Sequence, residues 1–464
     1  MSRISEKKVL EHNTLQLTIE DISDEGAGIG RHNNRVIFVA GALPGDTVTA
    51  RLKQIKRNYA IGKLVSIDQP SSHRIKPPCP YTETCGGCTL QAMDYDVQLS
   101  YKEKQVKDAL ERIGGFEQVP LKPIIGMTFP YHYRNKALYP FGLAKDARGK
   151  EQVILGFYQS DSHIVVPIEA CMIQQGDSGA VLGAVKEWAN AHRISVYQPQ
   201  NHTGLLRHLF VRSNQAGEVM VGLVINGLEI PATDDLIARL LAAVPLVKSI
   251  QLNRQTKRGT TVMGDYCKTL YGESTLQDTI GDLHFELAMP AFFQVNSEQT
   301  RALYQEALDA CALTGTETVW DIYSGAGTIT LNLAKYAKAV YGNELHPNAV
   351  ENAIANAARN GISNAQFVLG PAEVVIPEWL ASHPRAEVVV LDPPRKGADP
   401  AVLDAIIAMQ PDRIVYVSCK PSTLARDLKH LATSGYQLVS VTPVDMFPHT
   451  GHVEAIVCLQ RKSM

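Results

Sequence analysis

The feature that most constrains the fold is the alternation of short apolar runs and amphipathic segments from about residue 285 onward. The runs have the length of β-strands, and the segments between them place apolar residues at helical spacing. Strands that alternate with helices form βαβ units around a parallel sheet. We therefore predict a Rossmann-like α/β domain over residues 281–464, with a hairpin at its C-terminal end.

Two further domains are predicted before it. Residues 14–68 contain short strand-like runs separated by glycine turns, a pattern typical of a small OB-like β-barrel, and we assign residues 1–70 to this domain. Residues 71–280 mix helical and hairpin patterns and indicate a central α+β domain. A chain of 464 residues is long enough for all three domains.

Overall charge neither favours nor excludes a nucleic-acid partner, because the formal net charge is only −2. Locally, the barrel segment TVTARLKQIKRNYAIGKLVSI contains no acidic residue. It is either a solvated strand surface or a surface that contacts the RNA backbone. Its basic residues are Arg51, Lys53, Lys56, Arg57 and Lys63.

The cellular location is predicted from what the sequence lacks. The N-terminal segment has no apolar core of the kind that a signal peptide needs, and no stretch approaches about eighteen consecutive apolar residues. We therefore expect a cytoplasmic protein that does not contact a membrane.

A glycine-rich loop follows the first strand of the α/β domain, in VWDIYSGAGTIT. The strand ends at Asp321, which is also a candidate helix cap, and Gly325 and Gly327 allow a tight turn before the next helix. One strand later, Glu344 in VYGNEL stands where a carboxylate accepts the two hydroxyls of a ribose. The glycine spacing fits neither G-x-G-x-x-G nor a P-loop, so S-adenosylmethionine is favoured over NAD or a nucleotide.

Two later strands and the final one carry the candidate reactive side chains. Asp392 follows the run VVVL, and the two prolines after it stiffen the loop. Cys419 ends the run IVYVS and is either a buried core thiol, the usual case for a lone cysteine, or a nucleophile. Glu454 begins the last strand. Because these strand ends meet at one edge of the sheet, all three should share a cleft with the cofactor loop, which favours the nucleophile.

Three cysteines close together, Cys79, Cys85 and Cys88, indicate a metal site in a protein whose thiols should be reduced. Zinc is the first metal that such a group suggests, and the spacing alone does not separate zinc from iron. The first two cysteines are too far apart for the usual cluster loop of radical enzymes.

These motifs resemble those of the RNA uracil-C5 methyltransferase family, which includes the bacterial enzymes that make 5-methyluridine in 23S ribosomal RNA and in tRNA. The resemblance lies in DPPRKG followed by IVYVSCKPST, and in VDMFPHTGHVE. It covers nearly the whole chain, since residues 8–68 resemble the TRAM RNA-binding domain. The ribosomal members ligate a 4Fe-4S cluster at the positions of Cys79, Cys85, Cys88 and Cys171.

The resemblance implies a class I methyltransferase fold for the C-terminal domain and a role for each site residue. Cys419 would add as a thiolate to C6 of the uracil, and Glu454 would remove the C5 proton so that the cysteine can leave. The uridine would be held by Phe292, Gln294 and Asp392. S-adenosylmethionine would be bound by Gln294, Tyr323, Gly325, Glu344 and Asp392.

Two positions depart from the family pattern. Lys420 stands where the family usually has asparagine, and its ammonium could either favour the Cys419 thiolate or face solvent. Ser324 replaces a cysteine that is common in the cofactor loop, and we expect this change to be neutral.

The leading functional prediction is a monomeric 23S rRNA (uracil-C5)-methyltransferase, because the cysteine pattern is that of the ribosomal members. A tRNA uridine methyltransferase is the alternative within the family. An amino-methyltransferase usually follows D-P-P with an aromatic residue, where this chain has Arg395, and needs no cysteine. A non-catalytic iron–sulfur protein that binds RNA would be expected to have a damaged cofactor loop, whereas Gly325, Gly327 and Glu344 are all present.

Overall fold

The N-terminal strands close into a five-stranded barrel in the computed structural model, which describes residues 14–383 and 385–462 of the chain. Residues 1–13, the start of the predicted N-terminal domain, lie outside the described range. Inward-facing aliphatic side chains such as Leu17 and Ile19 fill the barrel, as the alternating pattern predicts. The strands are β1 (Thr14–Ile22), β2 (Gly28–His32), β3 (Arg35–Ala40), β4 (Thr47–Ile55) and β5 (Tyr59–Gln69).

A single long helix, α1 (Tyr95–Ala109), follows the cysteine-rich segment. The carboxylate of Asp94 caps its N-terminus, and the helix ends in a π-helical turn that Gly115 closes with a φ of 75°. Val106 and Leu110 pack against the core of the C-terminal domain. The helix therefore belongs by sequence to the central segment but packs against the α/β domain.

The central region is built on a seven-stranded, mainly antiparallel sheet in the order β12-β11-β10-β9-β6-β7-β8, with two helices against it. Trp188 of the first helix is fully buried at this contact. The strands are β6 (Lys136–Lys145), β7 (Glu151–Tyr158), β8 (Val165–Pro167), β9 (Leu206–Ser213), β10 (Val219–Ile225), β11 (Val247–Arg254) and β12 (Tyr266–Gly272), and the helices are α2 (Ser178–Ala191) and α3 (Thr233–Ala243).

The C-terminal domain is preceded by a hairpin, β13 (Thr275–Ile280) and β14 (Leu283–Ala288), whose apolar face joins the α/β core. The domain itself is the predicted α/β fold. Its elements are α4 (Ser297–Cys311), β15 (Thr318–Ile322), α5 (Thr328–Ala334), β16 (Ala339–Glu344), α6 (Pro347–Arg359), β17 (Ala365–Leu369), α7 (Ala372–Leu380), β18 (Val388–Leu391), α8 (Pro400–Met409), β19 (Arg413–Ser418), α9 (Pro421–Thr433), β20 (Tyr436–Val444) and β21 (Glu454–Arg461).

The sheet of this domain has the order β17-β16-β15-β18-β19-β21-β20. Its strands are parallel except for β21, which runs antiparallel to both of its neighbours. The chain reverses its direction of winding between β15 and β18, the place where open α/β sheets bind ligands. Because β21 is antiparallel, its first residue lies at the same edge as the last residues of β15, β18 and β19. In the described ranges, no helix is both long enough and apolar enough to cross a bilayer.

A buried ion pair fixes the loop that leads into β21. Lys102 of α1 donates to Asp445 over 2.5 Å, and Tyr95 donates to the other carboxylate oxygen over 2.8 Å. The side chains of Lys102 and Asp445 are 2% and 0% exposed, so this is a fully desolvated pair. Lys102 also donates to the carbonyl of Phe447. The helix from the central segment thus holds the start of loop 445–453.

We expect Lys102→Met to lower the free energy of unfolding by about 3–5 kcal/mol, because it leaves the Asp445 carboxylate buried without its cation. Unfolding in urea, followed by tryptophan fluorescence, measures the change. Lys104→Met is the matched control: Lys104 lies on the same helix but forms ion pairs at the surface, so its loss should cost at most about 1 kcal/mol. Equal effects of the two substitutions would contradict a special role for the buried pair.

Candidate active site

The strand ends bring the predicted site residues to one edge of the sheet. β15 and β18 are in register at Ile322 and Leu391, so the loops after them, which contain Gly325 and Asp392, leave the sheet side by side. β19 pairs with β21 so that Ser418 faces Ala455, which places Cys419 and Glu454 at neighbouring strand ends. The convergence predicted from the strand pattern is present in the structure.

The carboxyl groups at this edge are held close to neutral. Burial and the charge of Asp392 together raise the pKa of Glu454 to about 8, against the opposing effect of Arg395. Burial likewise raises the pKa of Asp392 to about 7. Both groups therefore titrate near physiological pH, where a carboxyl can accept or release a proton.

Cys419 is a partly buried thiol whose pKa is affected by the charges of Glu454, Asp392 and Arg395. Burial and the negative charges of Glu454 and Asp392 together raise its pKa to about 11, against the opposing effect of Arg395. The guanidinium of Arg395 is therefore the cation that favours the Cys419 thiolate. It also lies 3.3 Å from Nε2 of His452, in the loop before β21.

The side chain of Lys420, the residue after Cys419, reaches the barrel. Its ammonium donates over 2.5 Å to Asp24, in the turn between β1 and β2 of the barrel. Its backbone N–H donates to the hydroxyl of Ser418, at the start of α9. The ion pair with another domain is a contact that neither expectation for this position included.

Hydrogen bonds hold the glycine-rich loop and Glu344 in a fixed arrangement. Glu344 accepts N–H groups from Gly325 over 3.0 Å and from Leu345 and His346 over 2.8 and 2.9 Å, so both oxygens of its carboxylate are fixed in place. Gly325 has a φ of 56°, which suits glycine. This turn is the one that the glycine pattern predicts.

Asp321 is fully buried beneath this loop. One carboxylate oxygen accepts the hydroxyl of Thr330 over 2.5 Å, and the other has no hydrogen-bond partner among the described residues. Burial, together with the charges of Asp392 and Glu344, raises the pKa of Asp321 to about 7. The buried hydroxyl of Ser324 also has no partner among the described residues. These two buried atoms therefore have hydrogen-bonding capacity that no described residue uses.

Three other predicted residues occupy different positions around the edge. Phe292 is 72% exposed, and the ammonium of Lys136 lies 6.0 Å from its ring centroid. Gln294 is partly buried, and its carbonyl accepts from Asn135 over 2.9 Å. Tyr323 belongs to the cofactor loop by its backbone, but its ring packs on the other face of the sheet, where its hydroxyl lies against the backbone N–H of Asp399.

Residues that the sequence patterns did not single out complete the edge. Tyr304 of α4 is buried, and its pKa is raised by burial and by the charges of Asp392, Asp321 and Glu454. Its hydroxyl shares a hydrogen bond of 2.7 Å with Thr328 at the start of α5. Helical periodicity identifies Tyr304 only as a core residue, and no local motif distinguishes it from other core aromatics.

The four predicted metal ligands border one cavity of about 360 Å³. All four are free thiols, and burial together with the other three cysteines raises the pKa of Cys88 to about 12. The cysteine segment lies tightly on β7, since a Cβ at Gly86 would come within 2.9 Å of the Tyr158 carbonyl oxygen. Across residues 14–383 and 385–462, no group of three or more His, Cys, Asp or Glu side chains is arranged to hold a metal ion.

Comparisons with known proteins agree with these observations. Residues 8–65 match the TRAM domain, and residues 249–377 and 379–462 match the tRNA (uracil-5-)-methyltransferase family. Uncharacterized RNA methyltransferases of Halalkalibacterium halodurans and Caldanaerobacter subterraneus are each 45% identical to this chain, over 98% and 96% of it respectively and over 98% of their own length.

Among solved structures, the chain is similar to the tRNA (uracil-54, C5)-methyltransferase of Pyrococcus abyssi in complex with S-adenosyl-L-homocysteine. The TM-score is 0.77 and the sequences are 26% identical, with 96% of this chain and all of that chain covered. The predicted resemblance is therefore confirmed at the level of the family, of the barrel and of the α/β fold. The chain belongs to the S-adenosylmethionine-dependent RNA (uracil-5-)-methyltransferase family and carries an N-terminal TRAM domain.

Proposed function

We propose that this protein methylates C5 of a uridine in 23S rRNA through a covalent adduct between Cys419 and C6 of the base. The observation that carries the proposal is the meeting of a partly buried thiol, Cys419, with a buried carboxyl, Glu454, at the edge of the sheet. A methyltransferase that acts on an exocyclic nitrogen has no use for this pair.

The thiol is needed because C5 of uracil is a poor nucleophile. When the Cys419 sulfur bonds to C6, the electron pair of the C5–C6 double bond becomes available at C5, which can then accept a methyl group. Arg395 lowers the pKa of the thiol and so supports this attack. Asp392 beside it is suited to hydrogen-bond the polar edge of the base, and the exposed ring of Phe292 can stack on a flipped nucleotide.

Glu454 is proposed as the base that completes the reaction. After methyl transfer, C5 carries both the methyl group and its original proton, and removal of that proton restores the double bond and expels the Cys419 sulfur. A base is most effective when its pKa lies near the working pH, and burial brings the pKa of Glu454 to about 8. The charge of Asp392 contributes to this increase.

The cofactor loop fits S-adenosylmethionine, which supplies an electrophilic methyl group when bound. The fixed carboxylate of Glu344 is suited to accept the ribose hydroxyls, and the tight turn at Gly325 lets the cofactor approach the backbone. The unpartnered oxygen of Asp321 and the hydroxyl of Ser324 offer further polar contacts. Gln294, Asp392 and the backbone of Tyr323 are proposed to border the same pocket.

The four cysteines are proposed to hold a 4Fe-4S cluster. Four free thiols around one cavity supply the donor set that such a cluster requires. With all four irons bound by cysteine, the cluster would have a structural or redox-sensing role. The cluster also supports a ribosomal substrate by resemblance to the ribosomal members of the family, while the similarity to a protein named for uracil-54 of tRNA favours tRNA as the second candidate.

We expect Glu454→Gln to accumulate a covalent protein–RNA adduct that survives denaturation, because proton removal is blocked after Cys419 has attacked. Purified protein is mixed with S-adenosylmethionine and with size-fractionated RNA from a strain that lacks the gene, and adducts are counted on denaturing gels. The ribosomal fraction should form the adduct, and adduct formation with the tRNA fraction alone would favour the second candidate.

Cys419→Ala is the control for this experiment and should form no adduct with either fraction. An adduct in the alanine variant would remove Cys419 from its proposed role. Absence of any adduct in Glu454→Gln would contradict the covalent mechanism.

The reactivity of Cys419 without cofactor or RNA should follow its raised pKa. Iodoacetamide should alkylate Cys419 with a rate that rises about tenfold per pH unit up to pH 10, since only the thiolate reacts. Glu454→Gln should lower the pKa and accelerate alkylation, because it removes a negative charge, and Arg395→Gln should do the opposite. Peptide mass spectrometry follows the site. A rate that levels off below pH 8 in the wild type would contradict the electrostatics described above.

Anaerobically purified protein should contain about four iron and four sulfide ions per chain. Cys171→Ser should lose the iron, the sulfide and the visible absorbance of the cluster. Cys267→Ser, which alters a free cysteine of the central sheet, should retain all three. One zinc ion per chain with no sulfide would instead assign the four thiols to a zinc site.

A further inference from the structure

We propose that the turn between β1 and β2 of the barrel, residues 23–27, is part of the catalytic site, and that Asp24 is a positioning residue that holds Cys419 through Lys420. This inference rests on the proposed role of Cys419. It assigns to the barrel a second task, distinct from contact with RNA.

The first contact is the ion pair between Asp24 and Lys420. The two side chains meet over 2.5 Å and are 40% and 32% exposed, so the pair is partly shielded from solvent. Lys420 follows Cys419 directly and is the N-cap residue of α9. A restraint on the Lys420 side chain therefore reaches the thiol through a single peptide bond.

The second contact is close backbone packing between the barrel turn and the loop before β21. A Cβ on Gly451 would lie 2.5 Å from the nitrogen of Gly26 and 2.7 Å from the carbonyl oxygen of Asp24. Gly451 lies in loop 445–453, three residues before Glu454. The same barrel turn thus touches the segments that carry both proposed catalytic groups.

The turn also packs closely against Thr89. A Cβ on Gly26, whose φ is 82°, would lie 2.1 Å from the hydroxyl oxygen of Thr89, next to Cys88. Ala27 donates its N–H to the hydroxyl of Ser23 over 3.0 Å, which closes the turn internally. The turn therefore packs between Thr89, which follows Cys88, and the loop before β21.

Charges across this contact are complementary. The barrel side presents Asp24 and Glu25, both of which raise the pKa of His452. The segments of the α/β domain that face the turn carry Lys420 and Arg395. The pKa of His452 is lowered by burial and by the positive charges of Arg395 and Lys102. Opposite charges on the two surfaces favour one orientation of the turn against the α/β domain.

A second ion pair provides a matched control. Asp21 at the end of β1 accepts from Lys104 of α1 over 2.5 Å, with side chains that are 31% and 45% exposed. It joins the barrel to the rest of the molecule with the same length and similar exposure, but it does not touch the segment of Cys419. Loss of either pair should loosen the barrel equally, and only loss of the Asp24 pair should affect the thiol.

The test uses the full-length protein and measures two rates at Cys419: formation of the RNA adduct and alkylation of the thiol. In the Glu454→Gln background, Asp24→Asn should slow single-turnover adduct formation with RNA about fivefold while the Kd for RNA is unchanged, whereas Asp21→Asn should leave the rate unchanged. In the wild-type background without RNA, Asp24→Asn should alter the alkylation rate of Cys419 but not that of Cys267. Lys420→Gln should match Asp24→Asn, and the double variant should cost no more than either single variant.

Equal effects of Asp24→Asn and Asp21→Asn on both readouts would overturn the inference, because the turn would then act only by docking the barrel. Unchanged adduct and alkylation rates in Asp24→Asn would overturn it as well. Failure of the proposed function gives a different result: no adduct forms in Glu454→Gln even when Asp24 is intact, and the alkylation rates alone then decide whether Asp24 positions the thiol.

Discussion

The buried pair between Lys102 and Asp445 is the interaction on which the catalytic edge depends. It joins a helix from the central segment to the loop that leads into β21, in a place where neither charge is tolerated alone. Further bonds continue along the same loop: Asn296 donates to the Met446 carbonyl, Tyr133 to that of Pro448, and the N–H groups of Thr89 and Leu90 to that of His449. The loop that leads to Glu454 is therefore held largely by residues outside the α/β domain, while strand pairing fixes Glu454 itself.

The electrostatics of the site follow from burial more than from ion pairing. The pKa values of Asp321, Asp392 and Glu454 are all raised, because burial penalises their charged forms, and the charge of Asp392 adds to the increase for the other two. Arg395 acts in the opposite direction on Glu454 and on Cys419. Such a site keeps protons available at neutral pH, as a reaction that both forms a thiolate and removes a proton requires.

Much of the site could be predicted from the sequence, because strand ends of one sheet meet at one edge. This rule places Asp392, Cys419 and Glu454 together without any knowledge of packing. It says nothing about the direction of individual side chains. Tyr323 belongs to the predicted loop, yet its ring packs on the other face of the sheet, and Lys420 follows the thiol directly, yet its ammonium reaches the barrel.

The sequence by itself determined the barrel, the parallel sheet, the glycine-rich turn and the membership of the family, because periodicity and short motifs are local properties. Only the tertiary structure decided how the domains support one another. Lys102 and Asp445 are 343 residues apart, and Asp24 and Lys420 are 396 residues apart. Each of these charges looks like an ordinary surface residue in its own segment. Its partner and its burial are set only when distant segments pack together.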